Sequence, residues 1–220
     1  MVFFKKFIPI FILFIIFYNI YFFYNSDYFL IKDIQIMGKN ELLKNDIIEK
    51  LDILKSKNIW KIDIEKLKEL ILKDVRIEKL DIKRKIPDKL IFEIEEKKPF
   101  IYVEYKGRIL VSDKNGIIFS IYKEISNEDL AIIKLTNLED LKEYISILNK
   151  LEGKYLELIS ELYKKENYYI IYLRDGIKIK TDIDVEKKKY SLAFKLYNHL
   201  KNKKEIDEYL DIRFKDFIVK

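Results

Sequence analysis

The stretch Phe7–Tyr24, FIPIFILFIIFYNIYFFY, constrains this chain more than any other. Thirteen of its eighteen residues are Ile, Leu or Phe, and none is charged. With no polar face it does not fit an amphipathic helix lying on a soluble core. At 1.5 Å per residue it makes a helix about 27 Å long, close to the bilayer's hydrocarbon thickness of about 30 Å. Each central Ile, Leu or Phe favours insertion by about 0.3–0.6 kcal/mol, which together outweighs the lone amide of Asn19. Pro9 falls in the first turn, where a missing N–H costs little. Tyr18, Tyr21 and Tyr24 crowd the far end, as in an interfacial aromatic belt. A cleaved signal peptide is the rival reading, with Lys5 and Lys6 as its basic start. The exit Tyr24-Asn25-Ser26-Asp27-Tyr28 offers no small-x-small cleavage site, however, and the run is long for a signal. The expectation is a transmembrane helix over 7–24. Lys5 and Lys6 precede it, so residues 1–6 form a cytoplasmic tail and everything after lies outside the cytoplasm.

About 195 residues remain beyond the anchor, enough for one large or two small domains. The chain has no cysteine and one histidine, His199. That excludes disulfides and thiolate metal sites. A net charge of +6 and a pI of about 9.0 raise nucleic acid as a partner. The arginines are only Arg76, Arg84, Arg108, Arg174 and Arg213, and the lysines interleave with 37 acidic residues. No basic stripe forms, so the reading is a solvated mixed-charge surface and no nucleic-acid partner.

The first external segment is expected over 27–97. Phe29–Met37 reads as a strand and Gly38-Lys39-Asn40 as a turn. Leu43, Ile47, Ile48 and Leu51 fall at helical spacing. A loop carries Trp60, read as a packing anchor or a contact point. Asp63 is placed to cap a second helix, with Glu65 in its first turn. Its core face is Ile64, Leu67, Ile71 and Leu70. Strict alternation follows: Leu80, Ile82 and Arg84 share one face, and Leu90, Phe92 and Ile94 another, with a hairpin turning at Pro87. The order is strand, helix, helix, strand, strand. A three-stranded sheet with both helices on one face buries these apolar sets.

This order resembles a POTRA domain. The residues that carry the likeness are Ile34-x-Ile36-x-Gly38-x-Asn40, Asn58-Ile59-Trp60-x-Ile62-Asp63, and Val75-Arg76-Ile77 through Lys83-Arg84-x-Ile86-Pro87-Asp88-x-Leu90-x-Phe92-x-Ile94-x-Glu96-x-x-Pro99.

Residues 99–220 read as a second, β-rich domain. Short extended runs at Phe100–Tyr105, Ile109–Val111, Ile117–Phe119 and Ala131–Leu135 are divided by Gly107 and by Asn115-Gly116, a strong hairpin signal. Leu138, Leu141, Ile145, Leu148 and Leu151 mark a helix that Gly153 is placed to end. Runs at Glu157–Tyr163, Tyr168–Arg174 and Ile177–Thr181 follow, with Asp175-Gly176 as a second hairpin turn. Val185–Leu200 reads as a helix and Tyr209–Val219 as a final strand. Three stretches resemble the FtsQ/DivIB family of bacterial cell-division proteins: Val111-Ser112-Asp113-Lys114-Asn115-Gly116-Ile117-Ile118-Phe119, Tyr172-Leu173-Arg174-Asp175-Gly176-Ile177, and Lys189 with Leu210-Asp211-Ile212-Arg213-Phe214-Lys215-Asp216. The family's Leu-Pro step has no proline here near Lys134-Leu135-Thr136-Asn137, so positions 120–160 align loosely. The expected fold class is α+β: a transmembrane helix, a POTRA-like domain, then a C-terminal antiparallel-sheet domain with flanking helices.

No catalytic set stands out. His199 sits on a Lys-rich helix without a carboxylate partner and reads as a surface residue. No nucleophile elbow or phosphate loop is present. No cofactor, metal or small-molecule substrate is expected. One positive signal for binding lies in Tyr209–Val219. Leu210, Ile212 and Phe214 alternate with Asp211, Arg213 and Lys215, as in a strand with one buried face. Phe217 and Val219 then fall on the polar parity, through a bulge or by facing outward. A terminal edge strand also suits strand addition by a partner. Tyr209, Arg213, Lys215, Phe217 and Val219 are therefore the candidate partner-binding residues.

The resemblance implies a non-enzymatic divisome scaffold at the division septum. It would hold membrane partners of the FtsB/DivIC and FtsL type and help coordinate septal peptidoglycan synthesis. The alternative is a membrane-anchored cell-wall enzyme or chaperone, which would need a convergent catalytic cluster. An outer-membrane translocation component would need a barrel, and no long series of ten-residue strands follows.

Overall fold

The structure, a computed structural model, describes residues 2–38, 43–125 and 129–220, without the side chains of 2–8, 44–46 and 48. Lys39 and Asn40 of the expected turn and the side chain of Ile48 lie outside that description. Two compact units divide at Glu96 and Lys97.

In the first unit, α1 runs over Val2–Tyr24 with Pro9 inside it. From Ile10 to Tyr24 its large apolar side chains are all exposed. Among the described residues no helix is long and apolar enough to cross a membrane. The span over 7–24 therefore remains a reading of the sequence.

The expected strand Phe29–Met37 is shorter. Asp27–Phe29 makes a 3-10 turn, and β1 covers only Asp33–Met37. Phe29 and Ile31 are buried ahead of it. The helices α2 (Lys44–Asp52) and α3 (Ile64–Ile71) then precede β2 (Ile77–Lys85) and β3 (Lys89–Glu96). The sheet order is β1-β3-β2, with β1 parallel and β2 antiparallel to β3. Alternation buries Leu80 and Ile82 on β2 and Leu90, Phe92 and Ile94 on β3, packed with Leu43, Ile47 and Leu51. Asp63 caps α3 by accepting the Lys66 N–H. Leu70 departs from expectation and is exposed, so the inward face of α3 is Ile64, Leu67 and Ile71. Arg84 shares the inward parity but is not apolar. Its guanidinium donates to the carbonyls of Ile59 (3.0 Å) and Ile62 (2.6 Å), tying the Trp60 turn to the sheet.

The second unit is built on one nine-stranded sheet. Its strands are β4 (Ile101–Tyr105), β5 (Arg108–Ser112), β6 (Ile118–Ile121), β7 (Ile132–Leu135), β8 (Ile159–Lys165), β9 (Tyr168–Leu173), β10 (Lys178–Thr181), β11 (Tyr209–Asp211) and β12 (Ile218–Val219). The helices are α4 (Leu141–Leu148), α5 (Gly153–Leu156) and α6 (Lys187–Lys203). The order across the sheet is β12-β11-β10-β9-β8-β7-β4-β5-β6. It is mixed, not purely antiparallel: β4–β7, β7–β8 and β10–β11 are parallel pairs. The reason is topological. α4 lies between β7 and β8, and α6 between β10 and β11; a crossover connection of this kind returns the chain in the same direction. The core joins Val103, Ile133, Leu162, Ile171, Ile179 and Leu210 to α4 and α6, where Leu148, Tyr190 and Phe194 are fully buried.

Two local expectations give way. Gly153 does not end the long helix: α4 already stops at Leu148, and Gly153 opens α5. The terminal strand is not continuous either. It breaks after Asp211 and resumes at Ile218 as an antiparallel partner of its own first half.

Candidate functional site: the terminal sheet edge

β12 is one outer strand of the nine-stranded sheet. Its register is set by paired bonds at its end. The Tyr209 N–H donates to the Lys220 carbonyl (3.1 Å), and the Lys220 N–H donates back to the Tyr209 carbonyl (3.0 Å). In an antiparallel ladder the bonding direction alternates along the strand. Ile218 and Lys220 therefore face β11, and the N–H and C=O of Val219 point away from the sheet.

The break before β12 has a specific chemistry. The Arg213 guanidinium forks Asp211, with Nε–Oδ1 at 2.9 Å and Nη2–Oδ2 at 2.7 Å. The Arg213 backbone N–H also donates to Asp211 Oδ1 (3.1 Å). Burial opposes ionisation of Asp211, but the Arg213 hydrogen bonds outweigh it and hold the carboxyl below the ordinary carboxylate range. The guanidinium lies 4.2 Å from the Tyr168 ring centre and 5.2 Å from that of Phe214. This local pairing takes Arg213 out of strand geometry and turns Phe214 to solvent.

The parity expected of the terminal strand is thus overturned past Ile212. Leu210 and Ile212 are fully buried as expected, but Asp211 is buried too and Phe214 is exposed. Phe217, expected to face outward, is half-buried against the core, with Lys189 Nζ 5.8 Å from its ring centre. Lys189 also donates to the Phe214 carbonyl. Lys215 is exposed. Val219 is partly exposed on the edge, and Tyr209 is covered by Lys180 Nζ, 3.3 Å from its ring centre.

The edge strands therefore carry Tyr209 and Val219, and Arg213 follows β11 with its guanidinium over Tyr168 of β9. Lys215 and Phe214 stand on the connecting bend, and Phe217 belongs to the packing beneath. Sequence reasoning missed Tyr168, Lys178 and Lys180, which cover this end of the sheet with aromatic–cation pairs. The alternation in Tyr168–Tyr172 and Ile177–Lys180 carried that signal, because it puts Tyr168, Tyr172, Lys178 and Lys180 on one face.

Among the described residues no group of three or more His, Asp or Glu side chains could hold a metal ion. His199 is exposed on α6.

The β-α-α-β-β unit is of the POTRA class, and a larger mixed-sheet domain follows it. Residues 29–97 match the model for the POTRA domain, FtsQ-type, and residues 101–213, more than half of the chain, match that for cell division protein FtsQ/DivIB, C-terminal. The chain belongs to the FtsQ/DivIB family. Relatives include cell division protein DivIB of Clostridium acetobutylicum, 28% identical over 171 residues, covering 77% of this chain and 64% of that protein. Cell division protein DivIB of Clostridium tetani is 23% identical, covering 87% of this chain and 79% of its own length. Cell division protein FtsQ of Geotalea daltonii is 21% identical, covering 88% and 76%. A solved structure of the major extracytoplasmic domain of DivIB from Geobacillus stearothermophilus aligns at a TM-score of 0.38 and 19% identity, covering 49% of this chain and 97% of that one.

Proposed function

We propose that this chain is a bitopic, non-enzymatic scaffold of the division septum. Phe7–Tyr24 anchors it, Lys5 and Lys6 stay in the cytoplasm, and both folded units work outside. Family membership and the cell-division names of its relatives support the divisome role. The uncharged sequence of Phe7–Tyr24 and the exposed apolar side chains of α1 support the anchor.

The observation that carries the binding mode is the outward-facing backbone of Val219 on a sheet edge. A partner of the FtsB/DivIC or FtsL type adds a strand there. Main-chain bonds give affinity, and Tyr209, Arg213 and Lys215 give selection, with Val219 on the edge itself. Holding these partners is how the chain helps coordinate septal peptidoglycan synthesis.

The test is a pull-down of the full chain with each candidate partner, alongside a reporter active only outside the cytoplasm fused after Lys220. Retention of a partner and an active reporter are expected. A reporter active only in the cytoplasm refutes the orientation, and failure to retain either partner type refutes the scaffold reading.

A further inference from the structure

The join between α1 and the first unit is a built contact. Asn58 is buried and bonds in two directions. Its Nδ2 donates to the Tyr24 carbonyl at the end of α1 (3.0 Å), and its Oδ1 accepts the Trp60 backbone N–H (3.0 Å). The Trp60 ring stacks on Tyr24 (5.5 Å between centres, 22° between planes) and meets Phe29 edge-on at 5.8 Å. Phe23 closes the cluster against Phe29 (5.1 Å) and Tyr28 (5.9 Å). Behind Trp60, Arg84 holds the carbonyls on both sides of the turn. A continuous path of bonds and ring contacts therefore runs from α1 to β2. Such a joint fixes the height of the first unit relative to the helix.

The charges around the joint are unequal. Lys32 pairs with Asp88, and Lys55 with Asp52. Lys57 and Lys61, one and three positions either side of Asn58, are exposed and form no ion pair among the described residues. Tyr28 is also exposed. Two polar atoms at the joint, Trp60 Nε1 and Ser26 Oγ, are buried without a partner. Amphipathic rings beside unpaired lysines, directly below an exposed apolar helix, match the chemistry of a lipid interface, where aromatics sit at headgroup level and lysines meet phosphate.

We propose that this collar, Tyr24, Tyr28 and Trp60 with Lys57 and Lys61, seats the first unit on an anionic lipid surface. The proposal rests on the reading of α1 as an anchor and adds a second, superficial contact to it. The occupant is a bilayer carrying phosphodiester anions, with Lys57 and Lys61 against the phosphates.

Trp60 is the only tryptophan of the chain, so its fluorescence reports this joint alone. The full chain is reconstituted in nanodiscs of phosphatidylcholine or of a phosphatidylglycerol-rich mixture, with lipids brominated near the headgroup end or near the methyl end of the chains. The shallow bromolipid should quench Trp60 more than the deep one, and more strongly in the anionic mixture. The double variant Lys57→Glu/Lys61→Glu should lose about half or more of the shallow quenching in that mixture. Lys55→Glu should leave it unchanged. Equal loss in Lys55→Glu, quenching dominated by the deep lipid, or no quenching in a chain that has entered the nanodisc each overturns the collar and leaves the anchor standing. A chain that fails to enter nanodiscs overturns both.

Discussion

Lys97 Nζ lies 2.5 Å from Asp113 Oδ2, and the two side chains are only 8% and 4% exposed. Asp113 Oδ1 also accepts the N–H groups of Asn115 (2.8 Å) and Ile117 (2.9 Å), which shapes the turn before β6. Gly116 in that turn holds a φ of +80°, where a side chain is strained. One carboxylate thus joins the first residue of the second unit to its second hairpin, β5–β6.

Removing Lys97 would leave the buried Asp113 carboxylate without its cation, held only by the two N–H donors. Losing one partner of a buried pair costs about 3–5 kcal/mol. Lys97→Ala should lower the melting temperature of the second unit strongly, and a melt within a degree or two of wild type would show the pair to be dispensable. Burial opposes ionisation of Asp113, yet Lys97 and the two N–H donors outweigh it and lower the carboxyl from 3.8. A depressed acid contributes stability that is complete above 3.8 and is lost as pH falls through the lower folded value. Acid melts of wild type should therefore weaken below pH 3.8 more than those of Asp113→Asn.

Asp182 is the opposite case. Its Oδ1 is buried without a partner, and burial raises its carboxyl from 3.8, against the pull of Arg213 and with smaller help from Asp211 and Asp184. Its ionisation opposes folding, so stability should rise as pH falls through the raised folded value. Asp182→Asn should melt no lower than wild type at pH 7 and should remove that contribution. Clear destabilisation by the amide would point to a partner for the charged form.

The first unit makes a separate prediction through Arg84. The planar guanidinium fork presents separate N–H groups to the Ile59 and Ile62 carbonyls at once, a geometry that the compact ammonium of lysine does not reproduce. Each hydrogen bond to a charged group contributes about 1.5–3 kcal/mol. Arg84→Lys should therefore destabilise the unit by about that much and shift Trp60 emission. Unchanged emission and an unchanged melt would mean that the turn holds without the clamp.

The β-α-α-β-β order, the Asp63 cap and both Gly-containing hairpins were legible because each is a local pattern: alternation, a capping side chain, a turn dipeptide. Parallel pairing was not. Whether β7 and β8 run the same way depends on α4 crossing between them, which neither strand's residues encode. The terminal sheet edge was half legible. Leu210 and Ile212 gave the buried face, but alternation was extended through Arg213. Nothing in the period says that an Asp-x-Arg fork will close on itself and end the strand, nor that six residues without glycine or proline will bring Ile218 back beside Asp211. Continued alternation therefore puts Phe217 on the surface, whereas it packs underneath.

That correction changes how strand addition is best tested. Phe217→Glu would mix lost binding with lost packing. Val219 separates the two, because its N–H faces away from β11 while the ladder bonds run through Tyr209 and Lys220. Proline at 219 removes the outward donor and no bond of the existing ladder, a position where an edge strand tolerates it. Val219→Pro should keep the wild-type melt and weaken partner retention by about fivefold or more, the value of one net hydrogen bond. Ile212→Glu, at a fully buried position, should instead unfold the second unit. Partner affinity is measured by titration and stability by thermal melting, on the same preparations. If Val219→Pro binds like wild type, no strand is added at β12, and the free edge of β2 in the first unit becomes the place to look.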